Sequence, residues 1–218
     1  MENEARDSAG VQEISYPRFA AFYNWMMGRP LVRRMFDPLR REIVGQAHGI
    51  VLEVGAGGGQ NFPFYDPARV ERVEAVEARR ALSAAPVSIT LTCAPVESLP
   101  FPDAQFESVV ATLVFCSVQD PERGLREIWR VLKPGGTLLL LEHERAQGSV
   151  TAWVQDALVP LSTRSMGNCH WNRDTLRTIL HTGFQTTQVR QLSGGLQPLL
   201  LIHARRPQTQ EEVKACKE

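Results

Sequence analysis

Short apolar runs alternate along this chain with segments of helical periodicity. Five runs rich in branched side chains predict strands: Ile50 to Val54, Val70 to Val76, Val87 to Thr92, Glu107 to Val114 and Thr137 to Glu142. Between the last two lies "DPERGLREIWRVLKPGG", whose leucine, isoleucine and tryptophan side chains recur at helical spacing, after Asp120 as a cap and before the KPGG end. The alternation predicts βαβ units, and therefore a parallel sheet with helices on both faces.

Near its end the chain changes pattern. The segment "NRDTLRTILHTGF" predicts a helix with Leu176, Ile179 and Leu180 inward, and "QTTQVRQL" and "LQPLLLIHARR" predict an antiparallel hairpin. Residues 16–48 are interpreted as an N-terminal helical cap. We therefore expect one domain over residues 16–206, a disordered tail over 1–15 and a polar tail over 207–218.

Composition narrows the function mainly by exclusion. The chain has 218 residues, 43% of them hydrophobic, and equal numbers of basic and acidic side chains, so charge gives no reason to expect nucleic acid as a partner. Its four cysteines form no CxxC pair, which argues against a disulfide framework or a zinc site and favours a reducing, cytoplasmic setting. No run approaches the length of a membrane span. We expect a monomer or weak dimer.

The stretch "VLEVGAGGGQN" follows the first predicted strand and is interpreted as a ligand-binding loop. Glycines permit positive φ and close approach of backbone N–H groups to a ligand. The dinucleotide fingerprint G-x-G-x-x-G fails here because its third glycine position is Gln60. Glu53 precedes the loop, where it repels phosphate and suits a ligand with a cationic end. Glu77 ends the second strand, where a carboxylate accepts ribose hydroxyls. A tight strand-to-helix turn is the alternative for the glycines alone.

Four segments together resemble a known family. "VLEVGAGGG", "ESLPFPDAQFESVVATLVFCSV" and "REIWRVLKPGGTLLLLEH" resemble the motifs of class I S-adenosylmethionine-dependent methyltransferases that act on small molecules. "MGNCHWNRDTLRTILHTGF" is similar to a segment of the subgroup that includes thiol S-methyltransferases. The resemblance covers roughly residues 16 to 205 and implies a Rossmann-like, doubly wound α/β sheet of seven strands, in the order 3-2-1-4-5-7-6 with the last strand antiparallel.

The resemblance also implies a binding site for S-adenosylmethionine, with S-adenosylhomocysteine as the product. Glu53 faces the amino group of the cofactor, Glu77 takes the ribose hydroxyls, and Tyr23 in "FAAFYNWM" covers the ligand. The other cofactor-binding residues that it implies are Gly55, Ala56, Gly57, Gly59 and Asn61 in the loop, Val96 and Glu97 beside the adenine, and Thr112 and Leu113 under the sulfonium.

Two departures from the family pattern matter. Pro95 stands where the family has an aspartate that binds the adenine amine, so we expect apolar packing and Glu97 to hold the adenine. Only nine residues, Ala78 to Pro86, separate Glu77 from the next predicted strand, and a parallel crossover usually needs about a dozen. We predict distorted or broken chain just after Glu77.

A sulfonium methyl is already activated, so the protein must align the acceptor and exclude water. His143, at the end of the fifth strand, and His170 are the candidate catalytic residues, as a base or a substrate orienter. A histidine that only caps a strand is an equal alternative for His143. Cys116 is interpreted as buried packing, no metal site is expected, and Phe19, Trp153 and Trp171 suggest an apolar acceptor pocket.

We therefore predict methyl transfer to a small, apolar-leaning thiol, phenol or quinone-like carbon by in-line displacement. The alternatives within the class are a C-methyltransferase of quinone precursors and an N-methyltransferase of a phospholipid head group. A nicotinamide oxidoreductase is disfavoured by Gln60 and Glu53. A non-catalytic cofactor-binding module stays open because of Pro95 and the short crossover.

Overall fold

The computed structural model describes residues 17–76 and 84–208 of the chain. Seven strands form one sheet in the order β3-β2-β1-β4-β5-β7-β6. They are β1 Gly49–Val54, β2 Val70–Val76, β3 Ser88–Thr92, β4 Phe106–Thr112, β5 Leu132–His143, β6 Gln185–Ser193 and β7 Leu199–Arg205. The pairs from β3 to β5 are parallel, and β7 is antiparallel to both β5 and β6. The predicted fold class and strand order are confirmed.

Five helices accompany the sheet: α1 Pro17–Met27, α2 Pro30–Val44, α3 Pro121–Val131, α4 Ser149–Ser165 and α5 Thr175–Thr182. Alternate residues of β5 enter different cores, because side chains of a strand point to opposite faces. Leu138 and Leu140 pack in one cluster, and Leu139 packs in the other. The centre of the sheet is thus buried on both faces, which explains the continuous run of leucines in β5. The outer strands β3 and β6 are more polar and more exposed.

Helix α3 begins as predicted, since the Asp120 carboxylate accepts a hydrogen bond from the amide of Arg123 at 2.9 Å. It ends earlier than predicted, at Val131, and the KPGG residues belong to β5. Proline lacks the N–H that a continuing helix needs, and Gly135, at φ 78°, lets the strand continue through the stretch. The sequence thus predicted the end of the helix to within a few residues, but it assigned the KPGG residues to the helix end rather than to the strand.

Three other predictions were wrong in detail. Leu180 is 46% exposed, so only Leu176 and Ile179 of α5 contact the core. The glycine loop leads into a 3-10 turn over Phe62–Phe64 rather than an α-helix, in a segment interrupted by Pro63 and Pro67. Helix α4 was not predicted, because its apolar side chains do not form one inward stripe: Val150, Trp153 and Leu161 are exposed.

Several predictions fall on residues outside those described: the tail 1–15, most of the tail 207–218, Glu77, and the chain just after Glu77. The helical cap corresponds to α1 and α2. Among the described residues, no helix combines the length and the apolarity that crossing a bilayer requires.

Candidate active site

The glycine loop joins the end of β1 to the 3-10 turn. Gly55, Gly57 and Gly59 all adopt positive φ, at 65°, 53° and 74°. A Cβ on Gly55 would lie 2.4 Å from a methyl of Val114, whereas a Cβ on Gly57 would have no neighbour closer than 3.7 Å. Gly55 is therefore required by packing against the chain after β4. Gly57 leaves open space in front of its backbone, which is the condition for close approach of a ligand.

Glu53 is the acceptor in a buried hydrogen-bond network behind this loop. Its carboxylate accepts from the Tyr65 hydroxyl at 2.6 Å and from the Asn61 amide nitrogen at 3.2 Å. The same Asn61 nitrogen donates to the Thr112 hydroxyl at 3.0 Å, so the end of β1 is tied to the end of β4. Burial raises the pKa of Glu53 to about 7, against the lowering effects of these two donors and of the Arg40 charge.

Arg40 brings a positive charge to the same place. It lies on α2, is buried, and interacts electrostatically with Tyr23 of α1 and with Glu53. Burial lowers the pKa of Arg40 and raises that of Tyr23 to about 12. Among the described residues the Arg40 Nε has no hydrogen-bond partner. A buried donor without a partner is costly, so this nitrogen is a candidate to bind an anionic group.

A cavity of about 400 Å³ lies between the two N-terminal helices and the glycine loop. Arg40 lines it from α2, Gly58 and Gln60 from the loop, and Asn24 from α1. Asn24 also accepts a hydrogen bond from the Gln60 side chain at 2.8 Å, which links α1 to the loop. The volume falls in the range of small-molecule sites, so the cavity can hold a cofactor-sized ligand in part or whole.

The end of β4 contains a strained turn. Leu113 has φ 59°, in the left-handed region that favours glycine. The buried Glu142, at the end of β5, holds this turn: its carboxylate accepts from the amides of Val114 at 2.7 Å and Phe115 at 3.0 Å. Burial raises the pKa of Glu142 well above its usual range. Strained backbone of this kind concentrates at functional sites, and Thr112 and Leu113 lie where the sequence placed the reacting centre.

Residues 168–173 clamp the chain that follows this turn. Three consecutive carbonyl groups are bound: that of Phe115 by the Arg173 guanidinium, that of Cys116 by the amide of His170 at 2.7 Å, and that of Ser117 by the Asn168 side chain at 3.0 Å. We call residues 115–117 with residues 168–173 the carbonyl clamp. It fixes the subgroup motif "GNCHWNRD" against the β4 end of the site.

The two candidate histidines lie in different surroundings. His143 ends β5, its Nδ1 is buried without a partner among the described residues, and burial lowers its pKa, so the ring is neutral near pH 7. The His170 ring is bound locally, since its Nδ1 lies 2.7 Å from the Asn168 carbonyl oxygen. Within the described ranges, no group of three or more His, Cys, Asp or Glu side chains is arranged to hold a metal ion.

Val96 and Glu97 lie beyond β3 with their side chains directed into the protein. Val96 belongs to the core and approaches Gly124 of α3. The Glu97 carboxylate accepts from the amides of Gln119 at 3.1 Å and Asp120 at 3.2 Å, ahead of α3. Because both side chains are engaged in these contacts, a ligand at this place would meet the backbone of Val96 and Glu97.

Of the apolar pocket suggested by the sequence, Phe19 and Trp171 are partly buried, but Trp153 is 70% exposed. Phe19 packs beside Tyr23 and against Gly167, so α1 reaches the carbonyl clamp. Trp153 is on the outer side of α4 and does not line the cavity beside the glycine loop.

Sequence reasoning missed the roles of four polar residues that organise the site: the buried Arg40, Tyr65 and Glu142, and the partly buried Arg173. For two of them a signal existed. Glu142 ends an otherwise apolar strand, "LLLLE", and Arg40 occupies a core-facing position of α2. A lone charge among buried positions needs a partner, but the sequence does not say which one.

Comparison with known proteins agrees with this geometry. A model of the methyltransferase domain family matches residues 52–140. The thiol S-methyltransferase TMT1A of Homo sapiens is 30% identical over 193 residues, which cover 82% of this chain and 77% of that protein. The ubiquinone/menaquinone biosynthesis C-methyltransferase UbiE of Pseudoalteromonas translucida (strain TAC 125) is 30% identical over 118 residues, 46% of this chain and 47% of that protein.

Among solved structures, an S-adenosylmethionine-dependent methyltransferase from Mesorhizobium loti matches with a TM-score of 0.60 over 78% of this chain and 97% of that one. Its sequence is 18% identical, so this likeness concerns the fold, while the relatives above concern the family. The family match spans β1 to β5, including the glycine loop and the strained turn. The chain therefore belongs to the S-adenosylmethionine-dependent methyltransferases, enzymes of methyl transfer.

Proposed function

We propose that the protein methylates a small thiol, with the methyl donor bound along the glycine loop and the acceptor held beside the carbonyl clamp. The observation that carries the donor site is the pairing of opposite charges at the loop. Buried Glu53 and buried Arg40 lie close enough for their charges to interact, and the open approach to Gly57 is at the same loop.

These charges match the two ends of an amino acid. An α-ammonium group suits the Glu53 carboxylate, and an α-carboxylate suits the free Nε of Arg40. S-Adenosylmethionine contains both groups in its methionine part and supplies a methyl on a positively charged sulfur. Tyr23, which interacts with Arg40, is placed to keep water from this end. Ala56 and Asn61 are the remaining loop residues in this proposal.

The residues that bind the nucleoside part of the methyl donor are assigned from the sequence. Glu77 takes the ribose hydroxyls, and the backbone of Val96 and Glu97 lies beside the adenine. Pro95 supplies no side-chain acceptor for the adenine amine, so we propose that apolar packing replaces that contact. Thr112 and Leu113 then lie nearest the reacting methyl.

A thiol acceptor is favoured over the other classes by extent of similarity. The thiol S-methyltransferase relative aligns over 82% of the chain, including the carbonyl clamp, whereas the quinone C-methyltransferase relative aligns over 46%. In the reaction the acceptor sulfur forms a bond to the methyl carbon as that carbon leaves the donor sulfur, and the thiol proton is released. A thiol has a pKa near 8.5 and is partly ionised at neutral pH, so its proton can leave to solvent. Burial lowers the pKa of His143, so we assign its neutral ring to orienting the thiol.

The test is an acceptor panel assayed with isotopically labelled donor: an aliphatic thiol, an aromatic thiol, a phenol, a reduced quinone and a phospholipid with a primary amine. We expect labelled thioether from the thiols, at rates at least about tenfold above the other classes. Product from only the phenol, the quinone or the lipid would overturn the thiol assignment.

A matched pair of variants controls the donor site. Gly57→Ala places a methyl where the donor approaches, on backbone at φ 53°, while Gly195→Ala places one on backbone at φ 77° where nothing lies within 4 Å. We expect the first to abolish labelled product and the second to leave it unchanged. Binding of S-adenosylhomocysteine without turnover of any acceptor would favour a non-catalytic module instead.

A further inference from the structure

Two cysteine thiols meet inside the carbonyl clamp. Cys116 follows β4 and Cys169 lies in the turn after α4, and both side chains are buried. Each thiol acts on the pKa of the other, so the two side chains lie near each other although the residues come from distant segments. Isolated buried cysteines pack as small apolar groups, but these two form a pair.

The backbone around the pair is fixed on both sides. The His170 amide donates to the Cys116 carbonyl at 2.7 Å, and the Ser162 hydroxyl donates to the Cys169 carbonyl at 2.8 Å. Asn168, which adopts φ 64°, donates to the next carbonyl, that of Ser117. The approach of the two sulfurs is thus set by the fold.

The surroundings of the pair are polar, unlike those of packed thiols in an apolar core. The charges of Arg173 and Glu142 act on both cysteines. The neighbouring Cys116 thiol lowers the pKa of Cys169, while the neighbouring Cys169 thiol, together with burial, raises the pKa of Cys116. A thiol with a lowered pKa is the one that attacks an oxidant, and the other thiol then resolves the product.

We propose that Cys116 and Cys169 are a redox-active dithiol, which closes reversibly to a disulfide at the acceptor side of the site. A disulfide needs a sulfur–sulfur distance of about 2.05 Å and neighbouring Cβ atoms. The backbone bond from His170 to Cys116 already holds the two segments together, so closure joins side chains of segments that are in contact.

Hydrogen peroxide would oxidise the pair in two steps. The Cys169 thiolate attacks one peroxide oxygen, the O–O bond breaks, and hydroxide leaves and takes up the thiol proton as water, which gives a sulfenic acid on Cys169. The Cys116 sulfur attacks the Cys169 sulfur, the S–O bond breaks, and a second water leaves with the Cys116 proton. Two electrons pass from the two thiols to the peroxide, and a dithiol reductant reverses the change by exchange.

Closure adds a covalent link between residues 115–117 and 168–173. The donor loop shares no residue with this link, although Tyr23 is close enough for the charges of both cysteines to act on it, so we expect the disulfide to act mainly on the acceptor side. The linkage can be measured without turnover, and its test is therefore independent of which acceptor the enzyme uses.

The experiment treats the full chain with stoichiometric peroxide, alkylates the remaining thiols and maps the linked peptides by mass spectrometry. The chain has four cysteines, so we expect two thiols to remain and one Cys116–Cys169 linkage, formed in folded protein and not in protein unfolded in urea. Dithiothreitol should restore four thiols. The exposed Cys93 provides the matched control: Cys93→Ser should retain the linkage, while Cys116→Ser and Cys169→Ser should each lack it.

The same samples are titrated with S-adenosylhomocysteine and assayed with the best acceptor of the panel. We expect affinity within about twofold and turnover lower by at least about tenfold, both restored by reductant. Peptides oxidised only at Cys93 or Cys216, or sulfonic acid at Cys116 and Cys169 without a linkage, would overturn the proposal. Loss of donor affinity along with turnover would overturn the assignment to the acceptor side.

Discussion

The two halves of the site are built by different kinds of contact. On the donor side, the partners of Glu53 are Asn61 and Tyr65, which are 8 and 12 positions away, and the glycines lie between them. On the acceptor side, Asn168 and Arg173 bind carbonyl groups 51 and 58 positions away. The centre of the donor side, from Glu53 to Tyr65, therefore lies in one short stretch of sequence, and Arg40 and Tyr23 join it from the N-terminal helices. The acceptor side has no such stretch and forms only when the chain folds. Local contacts can be read from a sequence pattern, and contacts between distant segments cannot.

The largest effect is expected from Gly55→Ala, which attacks the donor side at its tightest point. Its Cβ would lie 2.4 Å from Val114, at a φ of +65°, so both strain and overpacking oppose it. We expect the unfolding free energy to fall by about 2–4 kcal/mol in denaturant titration, and S-adenosylhomocysteine binding to be lost in calorimetry. Gly195→Ala, which has a φ of +77° but nothing within 4 Å, is the control for strain alone. Unchanged stability and binding in Gly55→Ala would contradict the packing described for the loop.

Arg173→Gln separates the two halves. Arg173 is partly buried and donates to the Phe115 carbonyl, so its loss frees the chain after β4 without touching the donor loop. We expect turnover to fall by about tenfold to a hundredfold, with donor affinity within about twofold. Asn168→Gly, which tolerates the same positive φ and removes only the bond to Ser117, should cause a smaller loss in the same direction. Equal losses of turnover and donor affinity would show that the two halves are not separable.

The pH dependence of donor binding tests the role of Glu53 on the donor side. The pKa of Glu53 in the folded protein is about 7, against an ordinary 4.5, so the free protein keeps this proton until about pH 7. Because the ligand ammonium favours the ionised carboxylate, binding releases a proton below that pH. We expect affinity for S-adenosylhomocysteine to rise by up to about tenfold per pH unit towards pH 7 and then level off. Glu53→Gln should bind weakly with no such rise, and an unchanged pH profile in that variant would contradict the role of Glu53.

The same shift has a consequence for stability. Between pH 4.5 and about 7 the folded protein binds the Glu53 proton and the unfolded chain does not. The stabilisation of the folded state by this proton is therefore complete below pH 4.5 and is lost as the pH rises through the folded pKa. The unfolding free energies of wild type and Glu53→Gln, measured by denaturant titration between pH 4.5 and 7, should depend differently on pH. The same pH dependence in both proteins would show that another group titrates.

The smallest effect is expected from Trp153→Ser. The sequence suggested that this side chain lines the acceptor pocket, but it is 70% exposed on α4. We expect the unfolding free energy to change by less than about 0.5 kcal/mol and the acceptor KM to stay within about twofold. A large rise in the acceptor KM would show that Trp153 does contact the acceptor.

The sequence predicted the sheet because doubly buried strands and an alternating helical pattern leave a strong periodic signal. It predicted the glycine loop and Glu53 because they are contiguous. It could not predict that Glu142 binds the Val114 and Phe115 amides, that Arg40 reaches the loop from α2, or that Cys116 meets Cys169. Each of these depends on the packing of separate elements, and α4 was missed because its exposed apolar side chains interrupt the helical stripe.

The most direct test of the account is calorimetric titration of the purified full chain with S-adenosylhomocysteine, with NADH as the control and Gly57→Ala beside the wild type. The account predicts micromolar binding of S-adenosylhomocysteine by the wild type alone, and no binding of NADH by either protein. Folded wild type that binds neither ligand, or a Gly57→Ala variant that binds as tightly as wild type, would contradict the claim that this loop is the methyl-donor site.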